Sequence, residues 1–278
     1  MFIDLGGPLR RLVNDAIAAL LVRYGDGFDA VGRALLQVLL VVEGLLRDAP
    51  PALVLLAVFG LAFVLLRRLG PSLVLVGLLY GIGCLGLWEQ AMQTLALLSV
   101  AIAITVALGI PVGIALSRSK RLRAVALPVL DLMQTIPIFV YLLPVAMLFG
   151  LGKVPALMAT VIYSMPPIVR LTDLGLSQVD RSAVDAAATL GAGSGQILAR
   201  VELPLAWPSV LQGLNQTVML ALGMVVVASM IGARGLGESV LLGLQRNDSG
   251  QGFVGGLAIV ALAIVIDRLS QALARRAG

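Results

Sequence analysis

Seven apolar runs, near residues 50–66, 71–87, 92–116, 126–149, 154–170, 209–231 and 253–270, leave this chain few ways to fold. Crossing the hydrocarbon of a bilayer takes about 20 helical residues, so several runs are marginal and others are long enough to tilt. Hydrophobic residues are 59% of the 278 and charged residues only 13%, against about 25% charged in ordinary soluble domains. The expected fold class is all-α, a polytopic transmembrane helical bundle of about seven spans plus an N-terminal amphipathic segment.

Residues 1–48 are amphipathic rather than spanning. Leu9, Leu12, Val13, Ala16, Ile17, Leu20 and Tyr24 share one helical face, with Arg10, Arg11, Asn14 and Asp15 opposite. Past a break at Gly25-Asp26-Gly27, the pattern resumes with Phe28, Val31, Leu35, Val38, Val42 and Leu45. Such a segment lies in the membrane interface or packs on the chain's own spans. Residues 1–30 show neither a long apolar core nor a small-x-small cleavage site, so no removable signal is read there. Three parts are expected: the interfacial segment at 1–48, two accessory spans at 49–88, and a core at 89–278.

Charge sets the orientation. The net charge of +5 is scattered between spans without interleaved aromatics, which suits cytoplasmic anchors rather than nucleic-acid binding. Arg67-Arg68, the Arg118/Lys120/Arg121/Arg123 cluster, Arg170, Arg181, Arg200, Arg268 and Arg275-Arg276 fall on one side of seven alternating spans. Lys153, Arg234, Arg246 and the N-terminal arginines fall on the other. The positive-inside rule then places the first side in the cytoplasm and the N-terminus outside. Trp88 and Trp207 lie at span ends, as belt aromatics do. Gly77-x3-Gly81 and Gly109-x3-Gly113 permit close helix contact, read here as packing within one subunit. A single cysteine, Cys84, and no histidine exclude an intramolecular disulfide, Cys/His zinc sites and His-based catalysis. Cys84 reads as a small packing residue.

One polar stretch, about 172–208, interrupts the hydrophobic second half on the cytoplasmic side. Ser182 and Asp185 have capping-box spacing, which starts a helix near Ala183. Gly191 supplies the left-handed cap that ends it. Ser194 caps a second helix, which Pro204 closes. The expected product is a compact helical knob built for docking.

The spacing Asp185-Ala186-Ala187-x3-Gly191-x9-Val201-x-Leu203-Pro204 is similar to the EAA loop of ABC-transporter permeases, with Asp185 in the acidic place. Met133-Gln134-Thr135-Ile136-Pro137, Met165-Pro166-Pro167 and Asn215-Gln216-Thr217 resemble segments of permease subunits from glycine betaine/proline-betaine importers. The likeness runs from about Gln90 to Asp267. It implies a type I ABC importer permease in the bacterial plasma (inner) membrane, the transmembrane subunit of an ATP-driven importer for betaine-like osmolytes such as glycine betaine, proline betaine or choline. The work implied is osmoprotection and amino-acid transport. The resemblance also implies a cytoplasmic ABC ATPase holding ATP and magnesium, an external substrate-binding protein or domain, and a second permease copy completing a homodimer. Membrane lipid surrounds such a subunit, and nucleic acid is not a partner. The residues carrying the coupling would be Asp185, Ala186, Ala187, Gly191, Leu203 and Pro204. The alanines are small enough to let the knob enter a groove on the ATPase, and Gly191 sets the turn. Asp185, shorter than the family's usual Glu, makes its contact either across that interface or only locally.

The residues themselves argue that the chain is not its own engine. Gly152-Lys153 fails as a phosphate loop, because Met147 stands where the first glycine belongs and Val154 replaces the Ser/Thr that would hold magnesium. No catalytic residue, metal site or cofactor is therefore expected in this chain, which is read as a transport subunit and not an enzyme. The alternative is an ion-coupled secondary carrier or an osmotically gated channel. A carrier would show intramembrane acids, whereas Asp131, Asp173, Glu89 and Asp267 lie near span ends, where solvation or snorkelling accounts for them. Gln134 and Thr135 precede Pro137, whose ring bends or breaks a helix. Asn215, Gln216 and Thr217 open the sixth span, and Ser229 lies near its far end. With Met133, Met219, Met224, Met230, Phe139 and Tyr141, these neutral groups would pass a cationic or zwitterionic amine without trapping it. Interhelical hydrogen bonding is the competing role. Pro166-Pro167 reads as the end of the fifth span. An aromatic cage for trimethylammonium needs several converging rings, and only Phe139 and Tyr141 are close in sequence. The subunit reads as a conduit, with high-affinity recognition elsewhere.

Overall fold

The computed structural model describes residues 6–277, apart from the side chains of Leu9 and of residues 274–277, which include Arg275-Arg276. Among the described residues the regular structure is entirely helical. Helix α1, Gly6–Asp48, runs without interruption through Gly25-Asp26-Gly27. A glycine inside a helix costs only about 1 kcal/mol, too little to break 43 residues of helix. Its packed stripe also differs from the expected one. Phe28, Leu35, Leu39, Val42 and Leu46 face the protein, while Val31, Val38 and Leu45 are exposed. The stripe contains an acid, Glu43, buried because Lys153 Nζ donates to both its oxygens at 2.8 and 2.6 Å. Arg47 bridges Glu43 and Glu89. Phe28 meets Phe149 edge to face at 5.6 Å. The second half of α1 thus packs on the chain's own helices, and its first half, with Leu12 and Val22, is exposed.

Helices α2, Pro51–Leu66, and α3, Leu69–Cys84, form an apolar hairpin that turns at Arg67, in the left-handed region at φ 51°. Each has 16 residues, about 24 Å of helix and short of a full crossing. A Cβ on Gly77 or Gly81 of α3 would meet nothing within 4 Å, so among the described residues neither glycine serves a close helix contact. Cys84 is exposed, not a packing residue.

The core is three close helices: α4, Trp88–Arg118; α7, Lys153–Ser177; and α10, Leu203–Ala228. A Cβ on Gly113 would fall 2.7 Å from the carbonyl oxygen of Val169, and one on Gly213 would fall 3.1 Å from Ile168 Cα. The backbones meet because these positions carry no side chain, as expected for Gly109-x3-Gly113. Helix α7 runs straight through Pro166-Pro167, which are buried in it and end nothing. Packed neighbours in a membrane bundle make such interior prolines tolerable. The run 126–149 is not one continuous helix. Helices α5, Lys120–Thr135, and α6, Ile138–Phe149, meet at 102° around Pro137. Helix α11, Leu236–Gln245, was not expected; it packs on α12, Ser249–Ala277. Among the described residues four helical segments are long and apolar enough to cross a membrane, or six when the bent pairs α1–α2 and α5–α6 each count once.

Candidate functional site

Helix α7 leads into the polar knob. Asp180 caps helix α8, Arg181–Thr189, accepting from Ser182 N at 2.9 Å and Ser182 Oγ at 2.8 Å. The backbone bond from Ser182, and then its hydroxyl, hold the Asp180 carboxyl below the ordinary carboxylate range. The expected capping box on Ser182 and Asp185 does not form, because Asp180 takes the cap two residues earlier. No hydrogen bond or ion pair to the Asp185 carboxylate exists among the described residues, which leaves this acid available. Ala186 is exposed beside it and Ala187 is half-buried.

Gly191 ends α8 as expected. At φ 83° it supplies a left-handed turn; its N–H reaches Ala188 O at 2.9 Å and Ala192 N reaches Ala187 O at 3.1 Å, the paired closure of a Schellman motif. Leu190, just before the turn, is 89% exposed. Helix α9, Ser194–Ile197, is capped by Gly193 and not by Ser194, with Gln196 Oε1 accepting from Gly193 N at 3.1 Å.

Pro204 does not close this helix. A π-helical turn at Leu198–Glu202 joins α9 to α10, with Leu203 N bonding back to Leu198 O. Widening by one residue accommodates a proline that cannot donate and whose ring would strike the preceding turn. Leu203 and Pro204 line a shallow groove with Ala199 and Trp207. On the inner side of the knob, a cleft of about 470 Å³ is lined by Asp185, Glu202, Arg118, Lys120, Arg123 and Arg181, among others.

The expected pathway residues divide. Tyr141 Oη donates to Met133 O across the Pro137 break, and its ring meets Tyr163 at 5.6 Å edge to face. Gln134, Thr135, Pro137 and Phe139 are exposed around the break. Met133 packs on the same cluster as Leu214, which brings the break close to the α10 turn carrying Asn215 and Gln216. Gln216 is exposed, with Met219 one turn on. Asn215 accepts from Ser270 Oγ at 2.7 Å and so fastens α10 to α12. Met224 is fully buried, and buried Ser229 donates to Val225 O at 3.1 Å. Asn215, Gln216 and Thr217 lie well inside α10 rather than at its start.

Sequence reasoning missed the charge pairs. Asp131 is paired with Arg170, and Asp173, 1% exposed, with Arg123 at 3.0 Å. Neither is a merely solvated acid at a span end. Arg118 holds Glu202. Tyr163 and Leu190 were also missed; only the leucine's place before a turn glycine could have flagged it.

Residues 105–278 match the family described as binding-protein-dependent transport system inner membrane component. The chain belongs to this permease family. It is 44% identical over 268 residues to the glycine betaine/proline betaine transport system permease protein ProW of Escherichia coli (strain K12), covering 96% of this chain and 75% of that one. It is 46% identical to the glycine betaine/carnitine transport permease protein GbuB of Listeria monocytogenes, covering 82% of each. The glycine betaine transport system permease protein OpuAB of Bacillus subtilis is 38% identical, over 95% of this chain and 93% of that one. Among solved structures, a chain of the MetNI methionine ABC transporter in an inward facing conformation superposes with a TM-score of 0.60 at 22% identity, covering 67% of this chain and 93% of that one. That likeness establishes the type I permease fold. As a permease of this family, the chain is a membrane-embedded transport component and not an enzyme.

Proposed function

We propose that this permease is the membrane-spanning subunit of an ATP-driven importer for betaine-like quaternary amines, and that residues 178–204 are its coupling loop. The relatives' substrates support the ligand class. The observation that carries the coupling role is the knob itself: a closed Schellman turn presenting a nearly bare leucine beside an unengaged acid. One exposed leucine is ordinary by itself; the docking reading rests on its place at a closed, rigid turn next to the small, exposed Ala186 and the unpaired Asp185 carboxylate. The docking partner is a cytoplasmic ATPase, which holds ATP and magnesium; a binding protein delivers substrate from the other face. A second permease copy completes the conduit, the knob faces the cytoplasm and the N-terminus lies outside. Gln134, Thr135, Phe139 and Gln216, exposed around the Pro137 break, line the path. An ion-coupled carrier is disfavoured, since Asp131 and Asp173 are engaged by arginines and not free to carry a coupling ion.

The test is Gly191→Trp, which forces a bulky residue into the left-handed region. Membrane insertion should survive while co-purification with the ATPase is lost. Gly191→Asn, which tolerates that conformation, should retain it. A Gly191→Trp permease that still binds the ATPase and transports would refute the docking role.

A further inference from the structure

The short turn between α4 and α5 is tied to both feet of the knob. Arg118, the last residue of α4, grips Glu202 with two nitrogens, Nη1 to Oε1 at 3.1 Å and Nη2 to Oε2. Arg123, on the first turns of α5, sets Nε 3.0 Å from Asp173 Oδ2. Asp173 stands on the descending α7 just before the knob, and Glu202 closes the π turn on the returning side. Both acids are buried, at 1% and 7% exposure. A buried carboxylate that loses its partner is strongly destabilised, and a forked guanidinium pair is the geometry that fixes orientation as well as charge. These bonds define where the α4–α5 turn sits.

Helix α5 is otherwise lightly packed: Leu130 is its one fully buried residue, with Ala126, Leu127 and Met133 partly buried against the same cluster of α4, α7 and α10. Its far end reaches the Asp131–Arg170 pair and then the Pro137 break. A motion that shifts Asp173 relative to Glu202 must therefore drag the α4–α5 turn. The helix from Lys120 to Thr135 is continuous to the break, with one interior proline, Pro128, as the single place where part of the shift can be absorbed.

We infer that Arg118 and Arg123 are positioning residues that convert displacement of the coupling loop into movement of α5, and through it change the opening at the Pro137 break. The inference rests on the reading that an ATPase drives the loop. It is tested in the complete transporter, permease with its ATPase and binding protein, reconstituted in proteoliposomes with glycine betaine uptake and ATP hydrolysis measured together. Arg118→Gln and Glu202→Gln should each assemble and hydrolyse ATP while uptake per ATP falls about fivefold, and the exchange of Arg118→Glu with Glu202→Arg should recover about half of it, as a coupled pair does. In a Cys84→Ser, Leu132→Cys background, maleimide labelling of α5 should change on vanadate trapping, and Arg118→Gln should abolish that change. Uptake per ATP left unaltered by Arg118→Gln, or a labelling response that persists in it, overturns the inference. Should Arg118→Gln fail to assemble, Arg118→Lys keeps the charge without the fork. Uptake and hydrolysis falling together there, with the labelling response intact, would make the pair a fastening only and equally overturn it. If the unsubstituted transporter shows no ATP-dependent uptake of glycine betaine, the functional reading fails instead, independently of the variants.

Discussion

Helices α7 and α5 sit side by side and are held by opposite means. Fifteen residues of α7 are buried, against one in α5. Apolar packing at backbone contact, as between α7 and the glycines of α4 and α10, has one good arrangement and resists any other. Helix α5 rests on a lighter contact, Leu130 and three half-buried neighbours, with the Arg123–Asp173 and Asp131–Arg170 pairs near its two ends, so it can be displaced together with those pairs without the core coming apart. The permease thus sets a tightly packed scaffold beside a lightly packed helix.

The contrast can be broken most directly at Gly113. A Cβ there would lie 2.6 Å from Thr172 Cβ and 2.7 Å from the Val169 carbonyl, neither of which can yield, so Gly113→Leu should cost about 3 kcal/mol or more. Thermal unfolding in detergent would show a large loss of midpoint or no monodisperse protein; an unchanged midpoint would mean that α4 and α7 are not close-packed. A smaller effect separates two polar residues near the break. Asn215→Ala removes the bond from Ser270 and should lower stability by about 0.6 kcal/mol, the average for such bonds in membranes. Gln134→Ala should leave the midpoint alone and change only the uptake rate, at constant affinity of the binding protein. Equal stability losses in both would return Gln134 to packing. The slightest effect belongs to the knob. Because the Asp180 carboxyl is held below the ordinary range, its cap is at full strength above that range and is lost as pH falls through the lowered value. Hydrogen exchange at Ser182 N–H should therefore quicken, beyond its intrinsic pH dependence, only in that acidic window, while amides of α7 remain protected. Fraying already present near neutral pH would contradict the cap.

The helices, the Gly191 turn, the Pro137 break and the Gly109/Gly113 contact were legible because each follows from local chemistry: apolar length, a left-handed residue, a missing donor, a missing side chain. Proline misled elsewhere for a physical reason. Pro204 is absorbed by a π turn and Pro166-Pro167 by tight packing of α7, and both remedies depend on neighbours that spacing does not reveal. The packed α1 stripe includes Glu43, which no apolar periodicity would select, because its partner Lys153 is 110 residues away. The same blindness hid Arg118–Glu202, whose members are 84 residues apart. Met224 and Ser229 carried suitable chemistry, but whether a residue at those positions faces a path or a neighbour is set by the rotation of α10 within the bundle. The turn at Gly191 was easier, since a turn between helices announces its own geometry.

Since the π turn widens the helix without severing it, the knob's second helix and α10 form one segment from Ser194 to Ile231, 38 residues long. At 1.5 Å per residue that is a rod of about 57 Å, and a tilt of ~10° about its middle would swing the two ends by roughly 5 Å in opposite senses. Its places of slack, the π turn, Pro204 and Pro208, all lie toward the knob. Beyond them the lever is continuous, so whatever draws one end toward a neighbour carries the far tip the other way.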